Sequence, residues 1–201
     1  MRFSSRHRPP LLGLLLGLMM SASLGATRLL PAGRLIQWPP RAASPTFDLV
    51  DERGRTRAPG DYRGRVFVVL FGFARCPDVC PAELFKLSSA LKPLPGAGKD
   101  VQVLFITLDP AHDSGEVLQG YVKTFNPSFQ GLTGSAAQIG AAAGSFHVNY
   151  APVQTRGDDT IGHSSSVFLF DIHGHLRWIG TADTSTREYT RGLATLLAEA
   201  S

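Results

Sequence analysis

The stretch Val66–Phe73, VFVVLFGF, is a continuous run of β-branched and aromatic residues that ends just ahead of the chain's first cysteine. A run with no polar face suits a strand covered on both sides, and so a sheet with helices packed on it. A second such run is Val101–Leu108, VQVLFITL. Helical patterns follow each of them. Ala82–Leu91 carries Leu84, Leu87 and Leu91 on one face. Gly115–Phe125 follows a cap at Asp113 or Ser114, Ser135–Gly144 is built of small residues, and Thr184–Ala200 follows a cap at Thr184 or Ser185. Thr46–Val50 and the residues after Gly54 read as a hairpin with its turn at Asp51–Gly54, and His147–Val153 as an extended segment. Ser165–Phe170 and Leu176–Gly180 read as a closing hairpin around His173-Gly174-His175. This order predicts an α/β fold of thioredoxin-like arrangement, a central sheet flanked by helices with an added N-terminal hairpin. A functional site is expected at the C-terminal end of the first central strand.

The N-terminus reads as targeting rather than fold. Arg2, Arg6 and Arg8 precede the apolar run Leu11–Met20, and small residues follow. Residues 1–27 are therefore expected to be a signal or anchor segment. Two readings stay open, cleavage near Ala26 or an uncleaved anchor over residues 11–27, which is at the short end of the about 17–25 residues that span a bilayer. Either way the arginines stay in the cytoplasm and the body faces an oxidising space, the periplasmic face of a bacterial inner membrane. Residues 28–45 are rich in Pro and Arg and read as a linker, with 46–201 as the domain. The formal charge is +4, but without those three arginines 17 basic residues face 16 acidic ones. No basic patch remains, so nucleic acid is not an expected partner.

Both cysteines of the chain lie in one segment, Cys76-Pro77-Asp78-Val79-Cys80-Pro81. Two cysteines exclude a disulfide-dense scaffold and a four-cysteine zinc site. Residues four apart on a helical turn share a face, so the sulfurs can meet as a disulfide or point at one metal ion. Cys80 is expected at a helix start, where free N–H groups favour a thiolate, with Arg75 adding to the effect if it points the same way. A stapling bridge over so short a loop would remove little chain entropy. Dithiol redox chemistry remains open, although thioredoxin-type reductases use a two-residue spacer. Phe73 stands where a peroxidatic cysteine would have Thr or Ser three positions ahead, which argues against peroxidase activity.

Two thiolates leave a metal short of ligands, and an imidazole is a fitting third. His163, in Gly162-His163-Ser164 ahead of an apolar strand, is the candidate. In a thioredoxin-like sheet the loop entering that strand lies against the cysteine turn. His112, in the loop after the second central strand, is a candidate neighbour of the site, while His173 and His175 read as solvated turn residues. A Cys76, Cys80, His163 set suits copper(I), and also copper(II) if a further oxygen ligand approaches.

These motifs together resemble the Sco/SenC family of copper-handling proteins. The resemblance rests on Gly72-Phe73-Ala-Arg-Cys76-Pro77-Asp78-Val79-Cys80-Pro81, on Thr107-Leu108-Asp109-Pro110-Ala-His-Asp113, and on Gly162-His163-Ser164. It covers roughly Pro45 to Ala198. It implies a thioredoxin-like domain anchored in or exported across a membrane, and copper held by Cys76, Cys80 and His163. It also implies a part in assembling the copper site of cytochrome c oxidase or a related haem–copper oxidase, whose copper-site subunit would be the partner. Asp78 would be a near-site acid, and Asp109 and Asp113 would shape the adjoining loop. The chain departs from the family's usual pattern at Ala74-Arg75, His112 and Gly162, and none of these removes a ligand. The expected function is a monomeric metallochaperone. The alternative is a thiol–disulfide reductase that keeps the oxidase's copper-ligand cysteines reduced and needs Cys76 and Cys80 but not His163. The loop Arg156–Thr160, with Asp158 and Asp159, is the expected gate to the site.

Overall fold

The computed structural model describes residues 35–40, 42–154 and 159–200. The expected signal or anchor segment and residues 156–158 of the expected gate lie outside the described residues. Among the described residues no helix is long and apolar enough to cross a membrane.

The two apolar runs form β4 (Val66–Gly72) and β5 (Val101–Thr107), after the short strands β1 (Ile36–Gln37), β2 (Leu49–Val50) and β3 (Thr56–Arg57). Every residue of β4 and β5 is buried, and the two strands pair in parallel from Val66↔Val101 to Gly72↔Thr107. They are the centre of a six-stranded sheet ordered β1-β10-β9-β4-β5-β6, with β6 at Gln130–Leu132, β9 at Val167–Phe170 and β10 at Leu176–Gly180. β9 runs antiparallel to β4 and β10 antiparallel to β9, while β6 is parallel to β5. The expected hairpin is β2–β3, paired through Leu49↔Arg57.

Alternation along β4 divides the core in two. Val66, Val68 and Leu70 face α1 (Val79–Leu91), α2 (Gly115–Lys123) and α4 (Thr186–Glu199), and pack with Leu84, Leu87, Leu118, Val122, Tyr189 and Leu193. Phe67, Val69 and Phe71 face the other side, with Phe47, Leu49, Phe168 and Phe170 and with Ile139 and Ala142 of α3 (Ala136–Ser145). Phe67 and Phe170 stack there at 4.4 Å between ring centres. Ser114, Ser135 and Ser185 cap α2, α3 and α4 through their hydroxyls, and the last two form capping boxes with Gln138 and Glu188.

Three features depart from the sequence pattern. Gln130–Leu132 is a sheet strand that no periodicity announced. Ile36–Gln37, inside the expected linker, pairs with Ile179 and Trp178 at the sheet edge. The extended segment begins at Tyr150 and is half of an arm, β7 (Tyr150–Gln154) paired with β8 (Asp159–His163).

Candidate metal centre

β4 ends at Gly72 and delivers the chain into the cysteine turn. α1 begins at Val79 behind Asp78, so Cys80 lies in its first turn. Pro81 is the next residue, where its missing N–H is one that a helix start leaves unpaired anyway. Asp78 makes no side-chain cap bond. Cys76 is half-buried, Cys80 is buried, and both are free thiols. The Cys80 backbone N–H donates to Cys76 Sγ at 3.4 Å, which aims the positive end of the helix start at that sulfur.

His163 is the last residue of β8, paired with Tyr150, and not a loop residue. The β7–β8 arm carries its ring over the cysteines. His163 Nε2 stands 3.6 Å from Cys80 Sγ, and Nδ1 is 3.1 Å from the Ser164 carbonyl oxygen. A carbonyl only accepts, so Nδ1 carries the proton and Nε2 turns its lone pair toward the sulfurs. The Phe73 ring meets the imidazole edge-on at 6.1 Å. The ligand atoms of Cys76, Cys80 and His163 all lie within 4.8 Å of one another, the only group of three or more such side chains gathered this closely among the described residues. An open cavity beside them is lined by Phe73, Cys76, Asp78, Thr160, Gly162 and His163.

The turn before Cys76 is gripped from the β5–α2 loop. Leu108 donates its N–H to the Gly72 carbonyl at 2.7 Å. Asp113, almost wholly buried, accepts from the Ala74 N–H at 2.9 Å and the Thr107 hydroxyl at 2.8 Å. Arg75 reaches Asp109 at 2.9 Å, and His112 bonds the other oxygen of Asp109 at 2.8 Å. Asp109 and His112 are thus joined to the residue next to Cys76 through Arg75, while Asp78 lines the cavity directly.

Electrostatics follow from these contacts. Burial, with Cys76 beside it, pushes the Cys80 thiol well above its ordinary value. The helix start is expected to favour a thiolate at Cys80, and burial acts in the opposite direction. Burial also pushes Asp109 up, but the bonds from Arg75 and His112 outweigh it and hold the carboxyl below its ordinary value. Asp113 is raised, chiefly by burial, in spite of the Ala74 and Thr107 bonds.

Sequence reasoning missed Gly72 as a determinant of the site. A Cβ there would lie 2.6 Å from Cys80 Sγ and 2.8 Å from the Phe105 ring. The one glycine in an otherwise bulky strand is the signal that could have found it. The Ser164 carbonyl left no signal, since any residue supplies one.

Comparison with known proteins gives one consistent result. A family model described as SCO1/SenC matches residues 38–198. The mitochondrial SCO2 homolog of Homo sapiens is 41% identical over 133 residues, covering 64% of this chain and 50% of that protein. An SCO2-like protein of Rickettsia prowazekii is 37% identical over 145 residues, 71% of each. The chain thus spans about half the length of the mammalian relatives it matches. Arabidopsis thaliana ScoI, solved with copper bound, superposes with a TM-score of 0.72 at 30% identity, over 79% of this chain and 99% of that one. Yeast Sco1 with copper bound gives 0.70 at 31% identity, over 78% and 89%.

Proposed function

The chain belongs to the SCO1/SenC family, and from that premise we propose that it is an extracytoplasmic copper metallochaperone. It delivers copper to, or prepares the copper site of, cytochrome c oxidase or a related haem–copper oxidase. The observation that carries this reading is the convergence of Cys76, Cys80 and His163 within 4.8 Å. Two polarizable sulfurs and one imidazole favour copper(I), which accepts three ligands, over zinc, which in structural sites takes four. The relatives solved with copper bound support the choice of ion.

Release is by ligand exchange. Cys76 is half-buried and lines the open cavity, so a partner's donor reaches it first. Cys80 is buried and lets go last. Residues 11–27 hold the protein to the membrane, or direct its export if they are cleaved, and the domain acts as a monomer on the periplasmic side.

The experiment is a titration of the fully reduced chain with copper(I) against a competing chelator, wild type beside His163→Ala. Tight one-to-one binding, weakened by roughly tenfold or more in the variant, supports a three-ligand site. Tight binding indifferent to His163 removes that residue from the ligand set, and absence of specific binding overturns the chaperone reading.

A second reading rests on the same close thiols. As a thiol–disulfide reductase the protein would attack a partner disulfide with Cys76, the more exposed sulfur. Cys80 would then close the intramolecular disulfide, and the partner would leave with two thiols. That activity would survive His163→Ala.

A further inference from the structure

The turn between β9 and β10 presents two imidazoles for which the copper reading has no use. His173 and His175 flank Gly174, whose φ of 83° reverses the chain between them. Both side chains are exposed, and their ring centres lie 6.1 Å apart. We propose that His173 and His175 form a second metal site, a surface site for copper(II), at the opposite end of the sheet from the cysteines.

The placement follows from the strand register. β9 pairs antiparallel with β4 so that Val167 lies opposite Leu70 and Phe170 opposite Phe67. The cysteines follow the end of β4, and the turn after Phe170 therefore lies at its start, where the Gly64 N–H donates to the Ile172 carbonyl.

The turn is built on one carboxylate. Asp171 Oδ1 accepts the backbone N–H of His173 and of His175, each at 2.9 Å. The Gly174 N–H bonds the Asp171 carbonyl, and the Asp171 N–H bonds that of His175, each at 3.0 Å. Asp171 Oδ2 lies 3.5 Å from His175 Nδ1. That oxygen also accepts from Arg177 Nη1 at 3.4 Å, and a carboxylate beside an imidazole is the kind of neighbour that orients metal-binding histidines.

The spacing suits one shared ion. A metal about 2 Å from a nitrogen of each ring lies about 3.2 Å from each ring centre, so centres 6.1 Å apart can share it with the two nitrogens on opposite sides of the ion. Two imidazoles with water in the remaining positions form a nitrogen–oxygen set that takes copper(II) ahead of other divalent first-row ions. Positive charge is near but balanced on one side: Arg177 is 2.6 Å from Glu199. The Arg63 side chain passes 3.8 Å from where a Gly174 Cβ would stand.

The test uses the full chain with the first site silenced by Cys76→Ser, Cys80→Ser and His163→Ala. Copper(II) is added against a weak amino-acid competitor and followed by electron paramagnetic resonance. The expected result is one equivalent bound with nitrogen hyperfine structure. His173→Ala or His175→Gln should weaken that binding by roughly tenfold or more, and His147→Gln should leave it unchanged. Absence of a bound equivalent, or one indifferent to His173 and His175, overturns the proposal. The copper(I) titration of the wild-type chain is a separate measurement, so failure here leaves the cysteine site standing.

Discussion

Gly72 sets the dimensions of the metal centre, because the Cys80 sulfur and the Phe105 ring both press into the space a side chain would fill. Gly72→Ala should displace that sulfur. The expected loss is about 1–3 kcal/mol of stability, as for other overpacked cores, together with weakened copper(I) binding. Denaturant unfolding and chelator competition on one sample check both, and an unchanged variant in both would show that the site has slack. The cysteines were legible because the chain has no others. His163 was legible because it precedes an apolar strand, although its place at the end of β8 was not. Arg75 read as an aid to the sulfurs, but Asp109 draws it to the neighbouring loop. That partner is 34 residues away in sequence, so no local pattern could have announced it.

At the scale of elements, the β2–β3 hairpin turns on Asp51. Its buried carboxylate accepts from the backbone N–H groups of Arg53 and Arg55 and from the guanidinium groups of Arg55 and Arg57. Burial pushes its pKa up, but those bonds prevail and take it from 3.8 to about 2. A group depressed on folding stabilises above its unfolded value, and that stability is lost as pH falls through the folded one. Wild type should therefore lose about 1–2 kcal/mol more than Asp51→Asn between about pH 5 and pH 2, read from urea midpoints. The Ser185–Glu188 box on α4 gives a second check. Ser185→Ala should cost about 1 kcal/mol at neutral pH, measured by thermal unfolding. The long elements were legible from periodicity, since β4 and β5 are buried on both faces and α1 carries its leucines on one. β6 is Gln-Gly-Leu and β1 is Ile-Gln, too short to hold a period. Each is a strand because a neighbouring edge offers it hydrogen bonds.

For the molecule as a whole, a ligand that binds only the folded state adds to its stability. Copper(I) at a free concentration about a thousand times its dissociation constant should contribute about 4 kcal/mol, or roughly 10 °C in Tm for a domain of this size. Calorimetry of the reduced chain should show that rise, His163→Ala a smaller one, and the chain with Cys76 and Cys80 bridged none. A rise that persists in the bridged chain would place the ion elsewhere. The separation of 83 positions between Cys80 and His163 carries one more consequence. Synthesis produces the two sulfurs early and the imidazole only after β5, β6 and both intervening helices have been made. Under the proposed ligand set a partly assembled chain has a two-point hold that a competing thiol can undo. The three-point hold appears when β8 swings its histidine into register. Retention of the ion would then act as a proofreading step, loading only molecules whose architecture is complete.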